Sequence, residues 1–194
     1  EGDSPVLNIS PIKIAQKFSD VNGYGQIKFD VQGGNGVAYF TDKDLVIKLT
    51  ADESEYHTAN KLVGTDNEYI VKVLESAKIK TSHASSPIFV IVEEALTMTK
   101  DMEEKWDQCC CGEESSIYID YMKDPVLVLP PVGNYDMCLP IYDNIIGIQK
   151  NFAEYGIVWS DIGIDNLGIK NGKLAVIDLG ETRVERSVEG KTVT

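Results

Sequence analysis

A short β-hairpin near the C-terminal end limits the folds open to this chain more than any other segment. Two apolar runs, at 167–169 and 174–177, are joined by a turn that contains Asn171 and Gly172. Asn-Gly is the strongest short-range hairpin signal, because both central positions of a type I′ turn need a positive φ angle. The chain therefore contains an antiparallel strand pair whose register is fixed by its turn.

Three polar residues lie near the open end of this hairpin. Counting outward from the turn places Asn166 opposite Ile177, so that Asp178 lies beside Asn166, and Asp161 is only slightly upstream. Amide and carboxylate oxygens suit Mg²⁺ that is also held by the phosphate oxygens of a substrate. A further carboxylate nearby can accept a proton from an attacking hydroxyl. This end of the hairpin is thus a candidate site for phosphate chemistry.

The N-terminal part of the chain adds a glycine turn and a lysine. Strand-like runs at 26–31, 37–40 and 45–49 are separated by the turn Gly33-Gly34-Asn35-Gly36 and by a short polar turn. A hairpin loop at 41–44 places Val37 opposite Lys48, to within one residue. In either register Lys48 lies close to a turn whose backbone N–H groups can approach phosphate oxygens.

A helix with recognisable ends follows these strands. Thr50 and Glu53 predict a capping box at its start, and Gly64 predicts its C-terminal stop. Because Glu53 is used in the cap, Glu55 is the carboxylate left in the first turns of the helix.

The remaining segments predict further strands and a second helix. We expect strands at 69–74 and 87–93, the latter so continuously apolar that it is predicted to be buried on both faces. A helix is expected at 142–155, from the spacing of its apolar residues. The segment 101–124 is strongly acidic and is a candidate surface for a basic partner.

The order of these features resembles that of the protein-kinase-like superfamily. The matching motifs are the glycine turn, Val46-Ile47-Lys48, Glu55 in its helix, Val92-Glu93-Glu94-Ala95, Trp159-Ser160-Asp161 with Asn166, and Ile177-Asp178-Leu179-Gly180. They resemble the phosphate-covering loop, the strand lysine with its helix glutamate, the hinge, the catalytic loop and the metal-binding Asp-x-Gly motif. The resemblance spans about residues 26 to 182. Its most specific part is the linked Asp-x4-Asn, hairpin and Asp-x-Gly unit.

This resemblance implies an α+β, protein-kinase-like fold with two lobes. Residues 1–95 would form an N-lobe around an antiparallel sheet, and residues 96–194 would form a truncated, reduced C-lobe. The chain ends at Thr194, shortly after Gly180, so we expect it to lack the helices that bind peptide substrates in ordinary kinases. In this respect it resembles the minimal kinases of bacteriophages and those injected by pathogenic bacteria.

The resemblance also implies a role for each matching residue. Lys48 would contact the α- and β-phosphates of ATP with Glu55 as its partner, and Asp161 would be the catalytic base. Asn166 and Asp178 would bind Mg²⁺. The nucleotide would be held by Gly33, Gly34 and Gly36 over the phosphates, by Val92 lining the adenine pocket, and by backbone groups of Glu93 to Ala95.

Two main interpretations of function follow, and a third stays open. The first is a Mg-ATP-dependent Ser/Thr-type protein kinase that phosphorylates partner or host proteins or itself. The alternative is a catalytically weak pseudokinase, acting as a binding or inhibitory module through its acidic surface. The third is a small-molecule phosphotransferase, and it rests on Gly163. This glycine stands where protein kinases keep a lysine that touches the γ-phosphate, and the related small-molecule phosphotransferases also lack that lysine. Trp159 and Ser160 replace His-Arg, so control by a phosphorylated activation loop is not expected.

Composition limits the partners and the compartment. The formal net charge of −13 disfavours a nucleic acid or an anionic membrane as the partner. No apolar run approaches the roughly 20 residues that span a bilayer, and the first residues do not resemble a signal peptide, although the true start of the protein is expected to lie upstream. We therefore expect a cytoplasmic protein, in a host cell if it acts as an effector. The cysteines at 109–111 and 138 form no metal or disulfide spacing and are expected to be reduced thiols.

Overall fold

A computed structural model describes residues 10–34, 36–80, 86–110, 135–159, 162–180 and 182–184. Within these residues the fold is α+β, which confirms the predicted class. In chain order the elements are α1 (Pro11–Asn22), β1 (Ile27–Gln32), β2 (Gly36–Thr41), β3 (Leu45–Thr50), α2 (Glu53–Leu62), β4 (Val73–Ile79), β5 (Ile88–Glu94), α3 (Lys100–Cys110), α4 (Tyr135–Glu154), β6 (Ile157–Trp159), β7 (Leu167–Lys170), β8 (Lys173–Val176) and β9 (Thr182–Val184). A single 3-10 turn, Ile164–Asn166, precedes β7.

The chain divides into two units. The first consists of Glu1–Asn67, Lys72–Ala95 and Leu179–Val184, and the second of Glu68–Val71, Leu96–Asp178 and Glu185–Thr194. The segment that follows Asp178 therefore returns to the first unit.

An antiparallel sheet of five strands, in the order β1-β2-β3-β5-β4, forms the centre of the first unit. Strand β5 is an interior strand and is almost fully buried along its length, as its continuous apolar sequence predicts. Helix α1 packs on one face of the sheet, where Ala15 joins a buried cluster with Tyr39, Ile47, Leu49, Val90 and Val92. This helix was not expected from the sequence. It begins at Pro11 and ends at Gly23, whose φ of 76° is the left-handed conformation that favours glycine.

The β2–β3 hairpin is shifted by one residue from the predicted register. Ala38, rather than Val37, lies opposite Lys48, and Phe40 lies opposite Val46. The reason is a tighter turn: β2 extends through Thr41, and Asp44 adopts a φ of 55° just before β3 begins. A turn whose last residue is left-handed joins the strands with a shorter loop than the one expected.

Two predicted boundaries in the first unit are wrong. Asp52, not Thr50, caps α2: its carboxylate accepts the Ser54 N–H at 2.8 Å, whereas Thr50 is the last residue of β3. The strand expected at 69–74 begins instead at Val73, because the apolar run before it makes only an isolated bridge between Ile70 and Val176.

The second unit contains α3, α4 and the β7–β8 hairpin. The hairpin register is as predicted, with Lys170 opposite Lys173 and Leu167 opposite Val176. Asn171 and Gly172 have φ angles of 52° and 81°, as a type I′ turn requires. Helix α4 begins earlier than the predicted 142–155, and α3 was not expected within the acidic segment. The rest of that segment, from 111 to 124, lies outside the described residues, and no described helix is long and apolar enough to cross a membrane.

A disulfide between Cys109 and Cys138 joins α3 to α4. The expectation of reduced thiols is therefore wrong for these two residues, because the packing of the two helices brings both buried sulfurs together. The Tyr142 hydroxyl supports the same contact by donating to the Cys109 carbonyl at 2.7 Å.

Breaking this disulfide is expected to destabilise the second unit. The sequence separation of 29 defines a loop whose closure stabilises the folded state by about 3–4 kcal/mol, through the entropy of the unfolded chain. Urea unfolding with and without a reductant measures this difference, and the Cys109→Ser/Cys138→Ser variant should not respond to the reductant. Cys110→Ser is the matched control and should behave as the wild type. An unchanged wild-type unfolding midpoint in reductant would contradict the prediction.

Candidate functional site

Lys48 lies near the middle of the five-stranded sheet, on the face that α1 does not cover. Its neighbours along β3, Ile47 and Leu49, belong to the cluster beneath α1, so strand alternation turns Lys48 to the other face. Its cross-strand partners there are Ala38 on β2 and Ile91 on β5. The lysine therefore stands among small and apolar neighbours, in an unusual position for a charged side chain.

Helix α2 brings Glu55 to this lysine. The helix packs on the same face of the sheet, where the Tyr56 ring stacks on Phe89 with ring centroids 4.7 Å apart. The Lys48 ammonium forms an ion pair with the Glu55 carboxylate, and the two side chains are only 15% and 3% exposed. The structure thus joins two residues that the sequence placed on separate elements.

In the glycine turn, Gly36 is needed for the close packing of two strands, whereas Gly34 is surrounded by open space. The Gly33 N–H donates to the Gly36 carbonyl at 2.8 Å, which closes the turn. A Cβ at Gly36 would collide with the backbone carbonyl oxygen of Leu49, so glycine is needed there for β2 to approach β3. A Cβ at Gly34 would meet nothing within 4 Å, so this part of the turn is not packed against other described residues.

Part of the segment expected to hold adenine, residues 92–95, packs against other parts of the chain. Val92 is fully buried in the cluster beneath α1, so its side chain cannot line a pocket on the Lys48 face. The implied role of Val92 is corrected for this reason: strand alternation turns Ile91 and Glu93 toward Lys48 and turns Val92 away. Glu93, which is 5% exposed, is therefore a buried residue of this face.

The backbone donors at the end of β5 are also used. The Glu94 N–H donates to the Lys72 carbonyl at 3.0 Å, and the Ala95 N–H donates to the Asp44 carbonyl at 2.9 Å. A nucleotide base would have to displace these bonds or bind through the carbonyl groups of the same segment. The implied binding of adenine by backbone groups of Glu93 to Ala95 stays a prediction.

In the second unit the hairpin places Asn166 and Asp178 as the register predicted. The Ile177 N–H donates to the Asn166 carbonyl at 2.9 Å, and Asp178 is the next residue along the chain. Asn166 ends the 3-10 turn, its N–H donating to the Gly163 carbonyl at 3.1 Å, and both polar side chains are half-buried. Asp161, the proposed base, lies outside the described residues.

Asn166 and Asp178 could hold Mg²⁺ only together with ligands from a substrate and from water. Within the described ranges no three His, Cys, Asp or Glu side chains group together as metal ligands. Asn166 and Asp178 supply one amide oxygen and one carboxylate, which are hard donors of the kind that Mg²⁺ takes. The rest of its octahedral coordination would come from water and from the phosphate oxygens of a substrate.

Comparison of the chain with protein-family models, and with curated proteins, found no match. The functional interpretation therefore rests on the contacts described above and on the order of the motifs along the chain.

Proposed function

We propose that this protein is a Mg-ATP-dependent Ser/Thr-type protein kinase with a two-lobed, protein-kinase-like fold. In this proposal the five-stranded sheet is the centre of the N-lobe, and the second unit is a reduced C-lobe. The phosphate acceptor is a hydroxyl group of a partner or host protein, or of the chain itself. The observation that carries the proposal is the ion pair between Lys48 and Glu55.

The ion pair supports a functional role because it is a poor way to stabilise a sheet. Taking both charges out of water costs several kcal/mol per ion, and an apolar pair of similar volume is often equally stable or more so. A lysine held by a glutamate is, however, a fixed cation that can bind phosphate oxygens. The Lys48 side chain is 15% exposed, whereas that of Glu55 is 3% exposed, so the lysine is the less buried member of the pair.

The other roles in the proposal belong to residues near the β7–β8 hairpin. Asn166 and Asp178 would hold Mg²⁺, which when bound neutralises charge on the phosphate groups of ATP. Asp161 takes the proton of the acceptor hydroxyl as that oxygen bonds to the γ-phosphorus, and the bond between this phosphorus and the β,γ-bridging oxygen breaks to release ADP. The proposed place of action is the cytoplasm, of a host cell if the protein is an effector, and the charge of −13 supports a protein partner over a nucleic acid or a membrane.

A second candidate is a pseudokinase that acts as a binding or inhibitory module. The intrachain hydrogen bonds of the Glu94 and Ala95 N–H groups favour it, because they occupy donors that a nucleotide base would need. Helix α3 also exposes Asp101, Glu103 and Glu104, and a basic partner would compete there with Lys105, which pairs with Asp101, and with Lys100, which pairs with Glu104.

Nucleotide binding separates these two candidates. At a concentration of 100 times its Kd, a nonhydrolysable ATP analogue with Mg²⁺ should stabilise the protein by about 2.7 kcal/mol. For a chain of this size the unfolding midpoint should then rise by roughly 5–10 °C. Asp178→Asn is expected to remove the part of this rise that depends on Mg²⁺, while binding without Mg²⁺ is kept.

The measurement is the unfolding temperature with nucleotide, with and without Mg²⁺. No shift with any nucleotide would contradict the kinase proposal, and a shift that ignores Mg²⁺ would favour the module.

A further inference from the structure

Thr182 connects helix α2 to the segment that follows Asp178. It is buried, with 1% of its surface exposed. The Ser54 hydroxyl donates to the Thr182 carbonyl at 2.6 Å, and the Thr182 hydroxyl donates to the Leu179 carbonyl at 2.6 Å. The hydroxyl oxygens of Thr58 and Thr182 lie 2.5 Å apart. We call this set of four residues, Ser54, Thr58, Leu179 and Thr182, the threonine latch.

The direction of the hydrogen bonds in the latch follows from the number of protons. A threonine hydroxyl has one proton to donate and can accept at its lone pairs. Since the proton of Thr182 goes to the Leu179 carbonyl, Thr58 must donate to Thr182. The two hydroxyls therefore form a directed chain that ends on a backbone carbonyl, and such buried chains strengthen one another.

The latch holds the turn of α2 that carries Glu55. Ser54 and Thr58 lie one turn apart on the helix, and Glu55 is between them. Glu55 itself is buried and pairs with Lys48. A shift or rotation of this turn would carry the carboxylate away from the lysine, so the latch and the ion pair restrict the same movement.

We propose that Thr182 is a positioning residue that keeps Glu55 against Lys48 through the neutral hydrogen bonds of the latch. Only the consequence for phosphoryl transfer rests on the proposed function, because Lys48 and Glu55 contact each other directly through their own side chains. The sequence carries no signal for this contact, since Thr58 and Thr182 are 124 residues apart.

The test is the reactivity of the Lys48 amine toward an acetylating reagent, read by peptide mass spectrometry without nucleotide. Thr182→Val removes both the donor and the acceptor at nearly constant volume. We expect it to raise the labelling rate of Lys48 roughly three- to tenfold, the effect of losing one or two buried hydrogen bonds. Lys100, whose side chain is 87% exposed, is the internal reference and should not change.

Three further variants separate positioning from a general loss of stability. Thr182→Ser keeps the hydroxyl and should restore the wild-type labelling rate. Val90→Ala weakens the core on the α1 side of the sheet and should leave Lys48 labelling unchanged under native conditions. Ser54→Ala removes the hydroxyl that donates to the Thr182 carbonyl, and it should raise the labelling rate of Lys48 about twofold. Because Ser54 is exposed, this variant tests the latch even if Thr182→Val does not fold.

The outcomes of this test are distinct from those of the kinase proposal. Faster Lys48 labelling in Thr182→Val and Ser54→Ala, with rescue by Thr182→Ser, supports the latch even if no variant transfers phosphate. If transfer occurs, its kcat should fall in the same order as labelling rises. An unchanged labelling rate in the folded latch variants, or an equal rise in Val90→Ala, would overturn the proposal.

Discussion

Replacing Lys48 with Met should strongly slow phosphoryl transfer and destabilise the first unit at the same time. The transfer rate is expected to fall by about 10²–10³-fold, the usual cost of removing one fixed group that stabilises charge in the transition state. The stability should fall by about 3 kcal/mol, because Glu55 would keep a buried carboxylate without the Lys48 ammonium. Transfer of labelled phosphate from ATP and urea unfolding measure the two effects.

Two variants at the same pair separate the chemistry from the stability. Glu55→Gln keeps the shape of the side chain and should reduce transfer with Lys48 in place. The double variant Lys48→Met/Glu55→Leu removes both charges and should regain most of the lost stability, since an apolar pair needs no compensation. It should stay inactive. Full activity in Lys48→Met would refute the proposed role of the lysine.

Replacing Asp161 with Asn should reduce turnover by about 10²–10⁴-fold, the range attributed to general acid–base catalysis. An amide of the same size cannot accept the proton of the acceptor hydroxyl. Nucleotide binding should be kept, because Asp161 is not among the residues proposed to hold ATP or Mg²⁺. Steady-state phosphorylation measures the loss, and the nucleotide-dependent rise in unfolding temperature measures the binding that is retained.

Asp165 supplies the matched control for this second experiment. It is an exposed carboxylate in the 3-10 turn, close to Asp161 in the chain, and Asp165→Asn should transfer phosphate at nearly the wild-type rate. Equal activity in Asp161→Asn and the wild type would argue against the kinase proposal. A protein that never labels itself or any protein in a lysate would favour the pseudokinase module instead.

Local patterns in the sequence predicted the parts of the fold that depend on neighbouring residues. Asn171 and Gly172 fixed the register of the β7–β8 hairpin, and so placed Asn166 beside Ile177. The first turns of α2 were expected to offer Glu55, and the structure pairs it with Lys48. The turn sequence was sufficient for the hairpin register, whereas the pairing of Glu55 with Lys48 was expected from the family resemblance.

Contacts between distant segments were not predictable in the same way. The disulfide of Cys109 depends on how α3 packs against α4, and the latch joins Thr58 to Thr182 across most of the chain. Helix α1 was not expected, because it has no acidic residue in its first turn and no basic residue in its last turn, so the charges that mark helix ends in a sequence are absent. The assignment of Val92 was wrong because the family resemblance gives the position of a strand but not which of its faces each residue occupies.

The close approach of Gly36 to the Leu49 carbonyl has a consequence for how relatives of this protein would diverge. A relative that lacked the proposed catalytic function would still need glycine at this position, because any side chain there would push β2 away from β3. Open space surrounds Gly34, so a side chain could be added there without moving either strand. Persistence of Gly36 among diverging relatives would therefore record only the packing of the sheet.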